Sequence, residues 1–193
     1  MYEVEVKLRI KSPIEPIIHF FEVNNFSKKI FFVEDVYFKH PCEDFKATDK
    51  ELRIRKYRSN GKVINLLTFK GPSANTSRTV REEIEFEVDE KIEIILKHLG
   101  FRPEITKWKK GYRFIKNNLD ITLCEVGGKY LNKDVYLGFF MEIELLIDSL
   151  EGYNGALYRI RKLIEKIPGD FVEEKRYYTE LIQEKAKIDL LPQ

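Results

Sequence analysis

Apolar and charged residues alternate along Tyr2-Glu3-Val4-Glu5-Val6-Lys7-Leu8-Arg9-Ile10. A period of two puts Val4, Val6 and Leu8 on one face and Glu3, Glu5, Lys7 and Arg9 on the other, which predicts a strand. Ser12-Pro13-Ile14-Glu15 then supplies an N-cap, an early proline and a carboxylate three residues on. It predicts a short helix carrying Ile17, Ile18 and Phe21 and ending near Asn24-Asn25. Strands are predicted over 29–38, 51–57 and 63–70, the last two joined at Ser59-Asn60-Gly61, whose Asn-Gly pair favours a tight hairpin. After a small-residue loop over 71–77, the charged alternation resumes over 79–88. Asp89 is placed to cap a helix whose Ile92, Ile95, Leu96 and Leu99 share one face before Gly100 stops it.

The second half repeats the plan, with strands predicted over 104–109, 111–116, 119–126 and 137–147. Leu157, Ile160, Ile164 and Ile167 mark a helix closed by Pro168-Gly169, and a last helix is expected over 177–190. Strands interrupted by amphipathic helices predict an α+β chain of two similar halves. At 193 residues, one domain over 1–193 is expected.

Composition narrows the class. Lys plus Arg number 34 against 32 Asp plus Glu, a net charge of +2, which argues against bulk binding of nucleic acid. A hydrophobic content of 43% excludes global disorder. No apolar run approaches the roughly 18 residues of a membrane span, and the N-terminus lacks a signal-peptide core, so a cytoplasmic protein without a membrane partner is expected. Cys42 and Cys124 lack metal-site spacing and read as free thiols.

The informative pattern is which charges share a strand face. Glu3, Glu5, Lys7 and Arg9 form one row, Arg53 and Arg55 a second, Thr68 and Lys70 a third. Arg81, Glu83 and Glu85 form a fourth, Lys107 and Lys109 a fifth, Glu142 and Glu144 a sixth. Such rows belong either to a solvated sheet face or to the lumen of a closed barrel whose apolar outer face is covered by helices. In a lumen, the basic set Lys7, Arg9, Arg53, Arg55, Lys70, Arg81, Lys107 and Lys109 calls for a polyanion, since buried like charges repel. Glutamates beside phosphate call for a bridging hard cation, Mg²⁺ or Mn²⁺. Together they describe a triphosphate site. Glu83 and Glu85 read as supporting residues that orient basic side chains, and no histidine shares a charged row.

Glu3-Val4-Glu5-Val6-Lys7 resembles the ExExK signature of the CYTH superfamily, the triphosphate tunnel metalloenzymes. Asp35-Val36-Tyr37-Phe38, Leu52-Arg53-Ile54-Arg55, Thr68-Phe69-Lys70-Gly71-Pro72, Arg81-Glu82-Glu83-Ile84-Glu85, Lys107-Trp108-Lys109, Leu137-Gly138-Phe139, Met141-Glu142-Ile143-Glu144 and Arg176-Tyr177-Tyr178 follow in family order. They are similar to the class IV adenylyl cyclase branch. The resemblance implies a closed antiparallel eight-stranded β-barrel, the triphosphate tunnel, with helices packed outside. It implies a divalent metal on Glu3, Glu5 and one or both of Glu142 and Glu144, and catalytic roles for Glu5, Lys7 and Glu125. Where the family usually has an aspartate, this chain has Leu123-Cys124-Glu125-Val126; Glu125 is the stand-in, or Cys124 if the register shifts by one. The implied reaction is conversion of ATP to cyclic AMP and pyrophosphate. Hydrolysis of thiamine triphosphate, ATP or tripolyphosphate is the alternative, and non-catalytic triphosphate binding a third. A homodimer is compatible with the resemblance.

Overall fold

The computed structural model describes residues 2–59, 62–73 and 81–188. The Asn60-Gly61 turn, most of the 71–77 loop, the start of the 79–88 strand and residues 189–190 of the last helix lie outside the described residues. Among those described, the strands are β1 (Tyr2–Ile10), β2 (Ser27–Lys39), β3 (Glu51–Ser59), β4 (Lys62–Ser73), β5 (Arg81–Val88), β6 (Arg102–Lys116), β7 (Leu119–Tyr130), β8 (Lys133–Ile147) and β9 (Phe171–Glu173). The helices are α1 (Glu15–Val23), α2 (Ile92–His98), α3 (Tyr153–Ile164) and α4 (Tyr178–Ile188). One antiparallel sheet runs β5-β4-β3-β2-β6-β7-β8-β1-β9. It curls into a tunnel, but no hydrogen-bonded ladder joins β5 to β1 among the described residues. None of the described helices is long and apolar enough to cross a membrane.

The alternation decides which face is covered. Val4, Val6, Leu8, Ile121, Leu123, Met141, Ile143 and Leu145 pack outward against Ile17 and Phe21 of α1 and Ala156 and Ile160 of α3. Phe21 is fully buried and stacks on Phe114 at 4.8 Å. On the other wall, Leu96 of α2 seats on Phe38 and Ile54. The helices α1, α2 and α3 thus cover apolar stretches of the outer face, while Ile84 and Phe86 of β5 stay exposed, and the charged rows are left to line the interior.

Four details differ from the sequence reading. The predicted strands over 104–109 and 111–116 are one strand, β6, because Gly111 is not a turn: a Cβ there would lie 2.2 Å from the Leu123 carbonyl oxygen of neighbouring β7. The predicted connection over 127–136 is instead the extended β7–β8 hairpin, turning at Leu131 and Asn132, whose φ values are 51° and 61°. Ser12 does not cap α1; its hydroxyl accepts the Asp170 amide at 3.0 Å, beside the short β9. Finally, α4 packs on the inner face. Its Ile182 lies where a Gly128 Cβ would come within 2.5 Å, and Gly128 shares a face with its cross-strand partner Lys107.

Candidate active site

The interior holds a cavity of about 480 Å³. Its lining includes Glu3, Glu5, Lys7, Arg53, Arg55, Lys70, Arg81, Glu83, Glu85, Lys107, Lys109, Glu142 and Glu144, all expected from the sequence. Residues far apart in the chain meet here because strand register aligns them: Glu5 pairs with Glu144 and Lys7 with Glu142 across β1 and β8.

One group is acidic. Carboxylate oxygens of Glu3, Glu5 and Glu144 lie within 4.8 Å of one another. Burial pushes Glu144 well above the usual carboxylate range, and the charges of Glu3, Glu5 and Glu142 push the same way. Burial likewise raises Glu3, although Lys70 opposes it. Like charges this close need a proton or a cation between them, and three oxygen ligands with no nitrogen or sulfur fit a hard divalent ion.

The second group is basic and centres on Asp35, which is fully buried. Arg55 donates to it in bidentate fashion at 2.7 and 3.0 Å. Lys107 lies at 2.8 Å and Arg53 at 3.7 Å. Burial alone would raise Asp35, yet Lys107, Arg55 and Arg53 together hold it well below the usual carboxylate range. Burial pulls Lys107 down to about 7; Asp35 opposes this, while Lys109, Arg53 and Arg55 reinforce it. Lys109 pairs with Glu142, which also accepts from Thr122 at 3.0 Å. Tyr178, the first residue of α4, stands among these cations. The Nζ atoms of Lys7, Lys109 and Lys107 lie 4.5, 5.1 and 5.3 Å from its ring centroid.

Several expectations need correction. Glu125 does not line the cavity. Thr122 bonds inward to Glu142, and Cys124 shares its face, so the alternation turns Glu125 outward. Cys124 therefore occupies the inner position, buried, with burial raising its thiol to about 12. Arg9 is also outside the cavity lining: it donates to the Leu137 carbonyl at 2.9 Å, lies over Phe140 and faces Glu174 at 3.5 Å. Arg81 lines the cavity but spends its donors on the carbonyls of Gly71, Asp49 and Lys70. Glu142 stands with Lys109 and outside the Glu3–Glu5–Glu144 group. Glu83 bridges Lys70 at 2.6 Å and Arg53 at 3.3 Å, basic side chains of the kind it was expected to orient, whereas Glu85 accepts from the Thr68 hydroxyl at 2.6 Å.

Three features were absent from the sequence reading of the site. Asp35 is one; its signal is a lone acid in the apolar alternation Phe31, Val33, Asp35, Tyr37. The Arg113–Asp120 pair, with Nε donating to Oδ1 at 2.9 Å, is another. The third is Tyr178, whose inward aim depends on how α4 docks.

The family model for the CYTH domain matches residues 1–169. The chain belongs to the CYTH family. A Methanocaldococcus jannaschii protein named "putative adenylate cyclase" is 32% identical over 184 residues, covering 92% of this chain and 97% of that one. Among solved structures, a Pyrococcus horikoshii protein superposes with a TM-score of 0.78 at 32% identity, covering 95% of this CYTH chain and 99% of its own. A Hippeastrum "putative adenylyl cyclase", described as having a dominant triphosphatase activity, shares the fold with a TM-score of 0.56 at 19% identity; the match covers 95% of this chain and 96% of that one.

Proposed function

We propose that this CYTH protein is a divalent-metal-dependent enzyme acting on a triphosphate held in its tunnel, most like a class IV adenylyl cyclase that converts ATP to cyclic AMP and pyrophosphate. The observation that carries this reading is the switch of charge along the inner face of β1. Glu3 and Glu5 join Glu144 in a three-carboxylate group, and Lys7, about 7 Å further along the strand, joins the cationic group around Tyr178. A molecule that presents phosphate oxygens to the cations and shares a metal with the carboxylates satisfies both. The cyclase assignment is favoured by the name of the M. jannaschii relative.

A Mg²⁺ or Mn²⁺ ion on Glu3, Glu5 and Glu144 would neutralise phosphate charge as it develops during the reaction. The chain's own residues do the rest. Arg55 and Lys107, held in place by Asp35, and Lys109, held by Glu142, fix the phosphates and oppose their mutual repulsion. Lys7 stands at the junction of the two groups and holds the reacting phosphate. Glu5, with one carboxylate oxygen toward the cation, would take the proton of the attacking hydroxyl on its other oxygen. In the cyclase the ribose 3′-oxygen bonds to the α-phosphorus and the bond to the β-phosphate oxygen breaks, so in-line positioning matters more than a covalent nucleophile.

Incubation with ATP and Mn²⁺ followed by product identification tests this. Cyclic AMP and pyrophosphate are expected; ADP and orthophosphate without cyclic nucleotide would make the protein a triphosphatase. Tight triphosphate binding without turnover under either metal would make it a binding protein.

A further inference from the structure

Among the described residues, Arg53 Nε and Tyr178 Oη are buried side-chain atoms without a hydrogen-bond partner. Both residues line the tunnel cavity. A buried donor left unmade is unfavourable, so a native fold keeps one chiefly where something else supplies the acceptor. For Arg53 the remaining guanidinium nitrogens already face Asp35, Glu51 and Glu83. The Tyr178 hydroxyl has one nearby acceptor. The Glu142 carboxylate acts on the phenol by charge and by a close side-chain approach, but that approach does not reach hydrogen-bond geometry, and the Glu142 Oε2 is already shared by Lys109 and Thr122.

The surroundings specify the missing acceptor. Three ammonium groups gather against the Tyr178 ring, so an incoming acceptor is favoured if it is anionic. The neighbouring Tyr177 hydroxyl is engaged with Asp49 at 3.2 Å and Ser73 at 3.0 Å. That contact, with Ile182 seated over Gly128, fixes the start of α4 and therefore the aim of Tyr178. Burial raises the Tyr178 phenol well above its ordinary value, so it remains a donor.

We propose that Tyr178 is a phosphate-binding residue, its hydroxyl donating to an oxygen of the phosphate group held among Lys7, Lys107 and Lys109. The proposal rests on the tunnel binding a triphosphate, as proposed above. It places this phosphate toward the α4 end, away from Glu3, which stands four residues back along β1, about 13 Å. The two ends of the substrate are then fixed differently: by carboxylates and a cation at one, by lysines and one neutral donor at the other.

Calorimetric titration of the full chain with inorganic tripolyphosphate in the presence of Mn²⁺ tests this, comparing wild type with Tyr178→Phe and Tyr178→Leu. Tyr178→Phe keeps the ring among the lysines and removes only the donor. It should weaken binding by about ten- to a hundredfold while leaving the melting temperature of the free protein unchanged or higher. Wild-type affinity in Tyr178→Phe with loss only in Tyr178→Leu would reduce Tyr178 to packing and overturn the proposal, leaving the tunnel reading standing. Failure of wild type to bind either tripolyphosphate or ATP would overturn the tunnel reading, and this proposal with it. In wild type, proton NMR should reveal a slowly exchanging Tyr178 hydroxyl on adding tripolyphosphate; its absence from the saturated complex also counts against the proposal, independently of how the variants fold.

Discussion

Three cations, Arg53, Arg55 and Lys107, converge on the single carboxylate of Asp35, and of the three only Arg53 faces further carboxylates among the described residues, Glu51 and Glu83. Burial, reinforced by Lys109, Arg53 and Arg55, pulls Lys107 down to about 7, against about 10.4 for an unfolded lysine. Between those values the unfolded chain holds the extra proton, so this residue makes stability rise with pH across that window. A bound triphosphate reverses the preference and holds Lys107 charged. At pH 8, tripolyphosphate binding should therefore take up a proton, and affinity should fall from pH 7 to pH 9. Titration in two buffers of different ionisation heat measures the uptake, and Lys107→Met should remove it; identical heats in both buffers for wild type contradict the argument. In the acidic group the expectation runs the other way. Glu5→Gln removes a like charge facing Glu3 and Glu144, so the melting temperature should hold or rise, while metal-dependent turnover falls by about a hundredfold or more. A large drop in melting temperature with activity retained would mean that Glu5 serves the fold.

At the scale of elements, β1 is held between two different environments, and α1 on its outer side is anchored by Phe21. Deleting that ring leaves a cavity against Phe114 and costs about 3–5 kcal/mol. For a chain of this size Phe21→Ala should lower the melting temperature by roughly 6–20 °C. Because α1 lies outside the tunnel, triphosphate affinity well below the transition should be unchanged, and a matching loss of affinity would contradict the separation of outer core and inner site. The same separation explains what was legible in the sequence. Rows such as Glu3-Glu5-Lys7 and Arg53-Arg55 were readable because a period of two, once one face is covered, forces the other inward. The Cys124 or Glu125 choice was not, since a one-residue slip exchanges the faces and the register is fixed by pairing with β6 and β8, which points Thr122 at Glu142. Gly111 and Gly128 carry the ordinary signal of a turn, yet here they mark close approach by a neighbouring strand and by α4. The inner placement of α4 depends on those tertiary contacts and has no local pattern of its own.

Across the whole molecule, the sheet ends on β5 at one side and on β1 with its short partner β9 at the other. Among the described residues no hydrogen-bonded ladder crosses from β1 to β5, and the gap is bridged by charge: Glu3 on β1 is attracted by Lys70 on β4 and repelled by Glu83 on β5. The walls of the free tunnel are thus tied by side chains that carry charges of both signs and compete with water and salt. A triphosphate that engages Lys7 on β1, Arg55 on β3 and Lys107 and Lys109 on β6 joins these walls directly. At a hundred times its dissociation constant such a ligand adds about 2.7 kcal/mol to stability. For this chain length that corresponds to a melting temperature higher by roughly 5–11 °C. Tripolyphosphate with Mn²⁺ should produce that shift, and Lys107→Met with Lys109→Met should abolish most of it. Amide exchange should slow together in β1 and β5, the two strands flanking the gap, if the walls are drawn into one unit. Protection confined to β6 and β7 would mean that the ligand sits on one wall and leaves the tunnel otherwise as it is.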